Sequence, residues 1–71
     1  MDARVRRVMQ KVRTVARNSG LTQQVIGERM GYPPESARQS VSLFFKSKDP
    51  SLRMVMRFAK AMDVKVEELL R

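Results

Sequence analysis

Apolar residues recur at intervals of three and four along most of this chain, and the pattern divides it into helices. Val5, Val8, Met9, Val12, Val15 and Ala16 make one stripe, with Arg4, Arg6, Arg7, Lys11, Arg13 and Arg17 on the remaining faces. This spacing predicts a helix over about residues 2–18. Asp2 is placed to cap its start, and Gly20 to end it in a left-handed conformation. A shorter helix is predicted over 22–30. Thr22 is its N-cap, Leu21 packs on Ile26 as a hydrophobic staple, Val25, Ile26 and Met30 face inward, and Gly31 terminates it. Gly27 falls in the middle, where glycine costs about 1 kcal/mol relative to alanine. A residue that small at that position predicts close approach of another helix.

The next stretch, MGYPPESARQSV (residues 30–41), has the composition of a linker. The prolines give it a different meaning. Pro33 and Pro34 bias the residues before them away from helix, yet Pro34 suits the first turn of a new one, where no N–H is needed. Glu35 then favours the positive end of the helix dipole. A helix over 34–46 follows, with Ala37, Val41 and Phe44 facing the core and Ser36, Arg38, Gln39, Ser42 and Leu43 facing outward. Asp49-Pro50 marks a loop, and Ser51 caps a helix over 51–62 whose stripe is Leu52, Val55, Phe58, Ala59 and Met62. VKVEELL predicts a last helix over 65–70 that packs Val66, Leu69 and Leu70. The expected architecture is all-α: five short helices in one compact domain over 1–71, without repeats or low-complexity segments. Two short helices joined by a glycine turn at 22–46 predict a helix-turn-helix.

Charge points to a partner. The 71 residues carry 15 Lys and Arg against 7 Asp and Glu, a formal net charge of +8. A balance this basic in a small domain favours a polyanion, and nucleic acid is the first candidate. Hydrophobic residues make up 42% of the chain, enough for a packed core. There is no cysteine and no histidine. The first absence removes disulfides and thiolate metal sites and fits a reducing, cytoplasmic interior. The second removes the commonest general base and metal ligand. Glu67 and Glu68 are neighbours that do not face one another, and Ser40, Ser42 and Ser47 have no base to activate them, so no enzyme, cofactor, metal or small-molecule substrate is expected. No apolar run approaches the roughly 18–20 residues of a membrane span, and no signal-peptide pattern opens the chain. Tyr32 alone is too little aromatic surface for stacking RNA bases.

Three segments in order, GLTQQVIGERMG, SVSLFFKS and DPSLRMVMRFAKAMDVKVEELL, resemble the lambda-repressor-like (XRE-type) helix-turn-helix domain of bacterial and phage regulators. The likeness covers about residues 4–70. It implies a five-helix fold with the third helix in the DNA major groove, and transcriptional regulation by a homodimer on double-stranded DNA at the bacterial nucleoid. It assigns phosphate contacts to Gln23, Lys46, Ser47 and Lys48, with Gln23 also propping side chains of the third helix. It assigns base reading to Arg38, Gln39, Ser42 and Leu43. The chemistry of the first two readers agrees, since arginine forks onto guanine and glutamine onto adenine.

The chain also departs from that family. About four residues are added between the second helix and the base-reading positions; four residues are close to one turn of 3.6, so they would lengthen the third helix without rotating its faces, bringing Glu35 and Ser36 near DNA. Phe45 and Ala16 stand where an ion pair between the third and first helices is usual, which implies packing in its place. Asp63 occupies a position favouring glycine, and Lys65 one favouring a capping serine. Leu43 replaces a polar reader and Met54 a small polar residue. Together with Met56, they leave a second reading open: a protein-interaction module on the same fold, a homodimer natural or redesigned, with weakened DNA reading.

Overall fold

A computed structural model describes residues 3–71. The expected Asp2 cap lies outside the described residues. Five helices follow in order: α1 Ala3–Ser19, α2 Gln23–Arg29, α3 Pro34–Lys46, α4 Leu52–Ala61 and α5 Val66–Leu70. Among the described residues there is no strand.

Local signals set the boundaries. Thr22 Oγ1 accepts the Val25 N–H at 3.2 Å, and Ser51 Oγ accepts that of Met54 at 3.1 Å, so both predicted N-caps are made. Pro34 is the first residue of α3, with Pro33 extended before it. Gly20 has φ +73° beyond α1. Gly31 has φ +99°; its N–H donates to the Glu28 carbonyl and the Tyr32 N–H to the Gly27 carbonyl. That pair of bonds closes α2 as a Schellman motif. Asp63 builds the same motif after α4, its N–H donating to Lys60 and that of Val64 to Ala59. It does so at φ +57°, a region that favours glycine.

Helices α1 to α5 share one core. Met9, Val12 and Ala16 of α1 meet Ile26 and Met30, then Val41 and Phe44 of α3, Val55, Phe58 and Ala59 of α4, and Leu69 of α5. The Cα radius of gyration is 11.2 Å, against about 11 Å for a folded chain of this length. Phe44 lies 5.8 Å from Phe58 and Phe45 6.1 Å from Phe58, ring centre to ring centre, so the end of α3 is pinned by an aromatic cluster. Phe45 and Ala16 line the same hollow between α1 and α3.

Three residues on the predicted stripes stay open to solvent. Val25 is exposed, because the apolar face of the seven-residue α2 is filled by Ile26 and Gly27. Leu52 is exposed at the first position of α4 and Leu70 at the last of α5, where no neighbouring helix reaches them. Tyr32 packs against the core, and its hydroxyl lies 3.3 Å from the Met54 sulfur.

Candidate nucleic-acid interface

The outer face of α3 is presented by α2, and the two helices meet backbone to backbone. A Cβ at Gly27 would stand 2.3 Å from the Ala37 carbonyl oxygen, 2.7 Å from its carbon and 2.8 Å from its Cβ. Glycine is therefore required at 27, and its expected helical neighbour is α3. A second tie comes from Gln24, whose amide donates to the Pro34 carbonyl at 2.8 Å and to a Glu28 carboxylate oxygen at 2.7 Å. The resemblance implied that Gln23 props side chains of α3; the side-chain tie from α2 to the α3 backbone is made by the next residue, Gln24. One residue along a helix is a rotation of about 100°, and it leaves Gln23 exposed on the rim while Gln24 turns toward α3.

The connection between α2 and α3 is only Met30–Pro33, and α3 is 13 residues long. The three core positions Ala37, Val41 and Phe44 are buried, and the opposite side carries Glu35, Arg38, Gln39 and Lys46, all exposed, with Ser42 half-buried between them. Ser36 is half-buried too, its hydroxyl donating to the Pro33 carbonyl at 3.4 Å.

Arg38 sits on the flank of α3 nearest α2, sharing a hollow with Thr22, Gln23 and Gln24. Lys46, Ser47 and Lys48 share another with Arg6 and Arg13 of α1, floored by Val5, Met9 and Phe45. Between these, Arg13, Arg17 and Gln23 rim a third hollow over Ala16, Leu21, Ile26 and Phe45. Arg13 is held there by donating to the Phe45 carbonyl at 2.9 Å, which also satisfies one of the open carbonyls at the end of α3. Ser47 is half-buried and its hydroxyl accepts the Asp49 N–H at 3.3 Å, which shapes the loop that carries Lys48 just beyond Lys46 at the end of α3. The result is a band running from Arg38 and Gln23 through Arg17 and Arg13 to Arg6, Lys46 and Lys48.

The six cations of α1 lie off its apolar stripe, and Arg6, Arg13 and Arg17 are seven and four residues apart, so they fall in one row. That row could have been read from the spacing; its position beside Lys46 and Lys48 could not. A band of ammonium and guanidinium groups with few acids near it suits a chain of phosphates, and the adjacent polar row on α3 suits base edges.

The three residues expected at a protein interface are not contiguous. Leu43 is 63% exposed and borders a hollow with Tyr32, Ser40 and Met54. Met54 itself is half-buried against the core, with its sulfur on the Tyr32 hydroxyl. Met56 lies in a separate groove of α4 and α5. No protein-family model matches this chain, and no curated protein or solved structure matches it at a significant level.

Proposed function

We propose that this domain binds double-stranded DNA sequence-specifically, on the lambda-repressor-like plan, as an XRE-type transcriptional regulator that acts as a dimer and not as an enzyme. The observation that carries the reading is the rigid mounting of a polar helix face beside a continuous cationic band. Arg38 and Gln39 supply base-edge chemistry on α3, while Gln23, Arg17, Arg13, Lys46 and Lys48 flank it with groups that suit phosphate. Helix α3 would lie in the major groove, with α1 and the loop after α3 over the backbone.

The test has two parts. Binding to random duplex DNA should weaken steeply with salt, with a log–log slope of roughly −4 to −5 for about four to six phosphate contacts. A slope near zero would remove nucleic acid as the partner. On a duplex selected from a random pool, Lys46→Ala should lower affinity for all sequences alike, because phosphate contacts position and do not specify. Arg38→Ala should cost about 1–3 kcal/mol on the selected site only, and relax preference at one base pair. Equal loss on every sequence would deny Arg38 a base-reading role.

A specific observation favours the second reading as well. Leu43 presents 63% of its surface from the middle of the α3 outer face, where a polar reader would be expected. A leucine there suits a protein partner at least as well as one thymine methyl, and the fold would then serve association.

A further inference from the structure

Outside the cationic band, two of the five exposed large apolar side chains share one groove. Leu52 is 59% exposed and Met56 51%, and they follow one another along α4 one turn apart. Ala59, Val64 and Val66 continue the floor to the start of α5. Arg53, Arg57 and Lys60 form the rim, spaced four and three residues apart along the same helix. None of the three is paired with a carboxylate among the described residues, and α4 contains no acidic residue. The groove contains no residue of α3 and none of the band on α1.

We propose that this groove docks an amphipathic helix of another protein, with apolar residues one turn apart seated on Leu52 and Met56 and acidic residues flanking them toward Arg53, Arg57 and Lys60. Two partly exposed side chains in a hollow about one helix long match a rod carrying i, i+3 and i+4 anchors. The unpaired cationic rim selects an acidic rod over a neutral one, because it adds attraction at no cost of breaking existing ion pairs. A second copy of the chain is a poorer occupant. Bringing this face against itself would set six cations around four apolar side chains, and like charges across an interface oppose binding. The proposal does not rest on the DNA reading, since the two surfaces share no residue.

The test is a titration of the 15N-labelled protein with a synthetic helical peptide that carries leucines at i, i+4 and i+7 and glutamates beside them. Two control peptides replace either the leucines by serine or the glutamates by lysine. Amide shifts should move at Leu52–Lys60 and Val64–Val66 with the first peptide only. Met56→Ser, an exposed change that leaves the core untouched, should weaken binding about tenfold or more, as should the pair Arg53→Glu and Arg57→Glu. An excess of duplex DNA should not displace the peptide. Three results would overturn the proposal: equal binding of the serine control, which would mean charge alone; shifts confined to α3 and the α1 band, with displacement by DNA; or a concentration-dependent dimer of the free protein that Met56→Ser abolishes, which would give the groove to a second copy.

Discussion

Replacing Gly27 by alanine pits two principles of opposite sign against each other. By helix propensity alone the change should stabilise a mid-helix position by about 1 kcal/mol. The contact with α3 says the reverse. The added Cβ would fall 2.3 Å from the Ala37 carbonyl oxygen, whereas real Cβ atoms essentially never approach closer than 3.0 Å. The nearest atoms are backbone, so no side chain can swing away, and α2 and α3 must separate or tilt. Overpacking of this kind costs typically 1–3 kcal/mol, and a clash with backbone belongs at the upper end. Taking about 3 against a gain of about 1 leaves a net loss near 2 kcal/mol, out of roughly 4–10 for a domain of this size. For a domain this small that lowers Tm by about 8–16 °C. Thermal and urea melts followed by circular dichroism at 222 nm measure it. A second substitution sharpens the test. Adding Ala37→Gly to Gly27→Ala removes only the 2.8 Å contact with the Ala37 Cβ and leaves the carbonyl in place, so it should restore little. A Tm unchanged or raised in Gly27→Ala, or full rescue by Ala37→Gly, would refute the backbone-to-backbone reading of this crossing.

Further substitutions separate roles that neighbouring residues share. Asp63→Gly should stabilise by about 0.5–1 kcal/mol, since it relieves an L-residue at φ +57° in the turn after α4; a lower Tm would mean that the aspartate side chain holds that turn. Gln24→Ala should cost about 1 kcal/mol and speed amide exchange at the start of α3, because the side-chain tie from α2 to the Pro34 carbonyl is lost. Gln23→Ala, by contrast, should change stability by less than about 0.5 kcal/mol while weakening DNA binding uniformly; the opposite ranking would restore Gln23 as the prop. If the domain associates through α3, Leu43→Gln should partly dissociate the proposed dimer in sedimentation at micromolar concentration. A variant that stayed fully dimeric, and shifted base preference away from thymine, would return Leu43 to the DNA face.

How much of this was legible in the sequence depended on how local the cause was. Caps and turns are decided by residues within four positions of each other, so Thr22, Ser51, Pro34, Gly20 and Gly31 placed the helix ends to within a residue or so. Gly27 announced a close approach because nothing within its own helix explains a glycine there. Periodicity located the stripes but not their edges: Val25, Leu52 and Leu70 lie on the correct spacing and remain exposed, since coverage depends on how far the neighbouring helix extends. The site was harder. The Arg13 bond to the Phe45 carbonyl spans 32 residues, and nothing near either residue signals it. The Gln24 bond to the Pro34 carbonyl turns on one residue of register along α2, which neither glutamine's neighbours in the sequence decide.

These contacts divide labour between the two halves of the proposed interface. The row on α3 is fixed by groups that cannot adjust: a carbonyl against the Gly27 Cα, a hydrogen bond from the Gln24 amide, and the mutually packed rings of Phe44, Phe45 and Phe58. The band on α1 and the following loop is made of long side chains on an exposed surface, and of these Arg13 alone bonds to α3. Rigid groups discriminate, because a mismatched base cannot be accommodated by a shift of the helix. Mobile cations follow phosphates wherever the backbone lies, and so add affinity without preference. On this account a substitution that loosens the α2–α3 crossing should erode specificity before it erodes affinity. Gly27→Ala, measured below its melting temperature, should therefore bind random duplex almost as well as the parent and lose much of its preference for a selected site. Parallel losses on both duplexes would mean that reading and anchoring are not separated in this way.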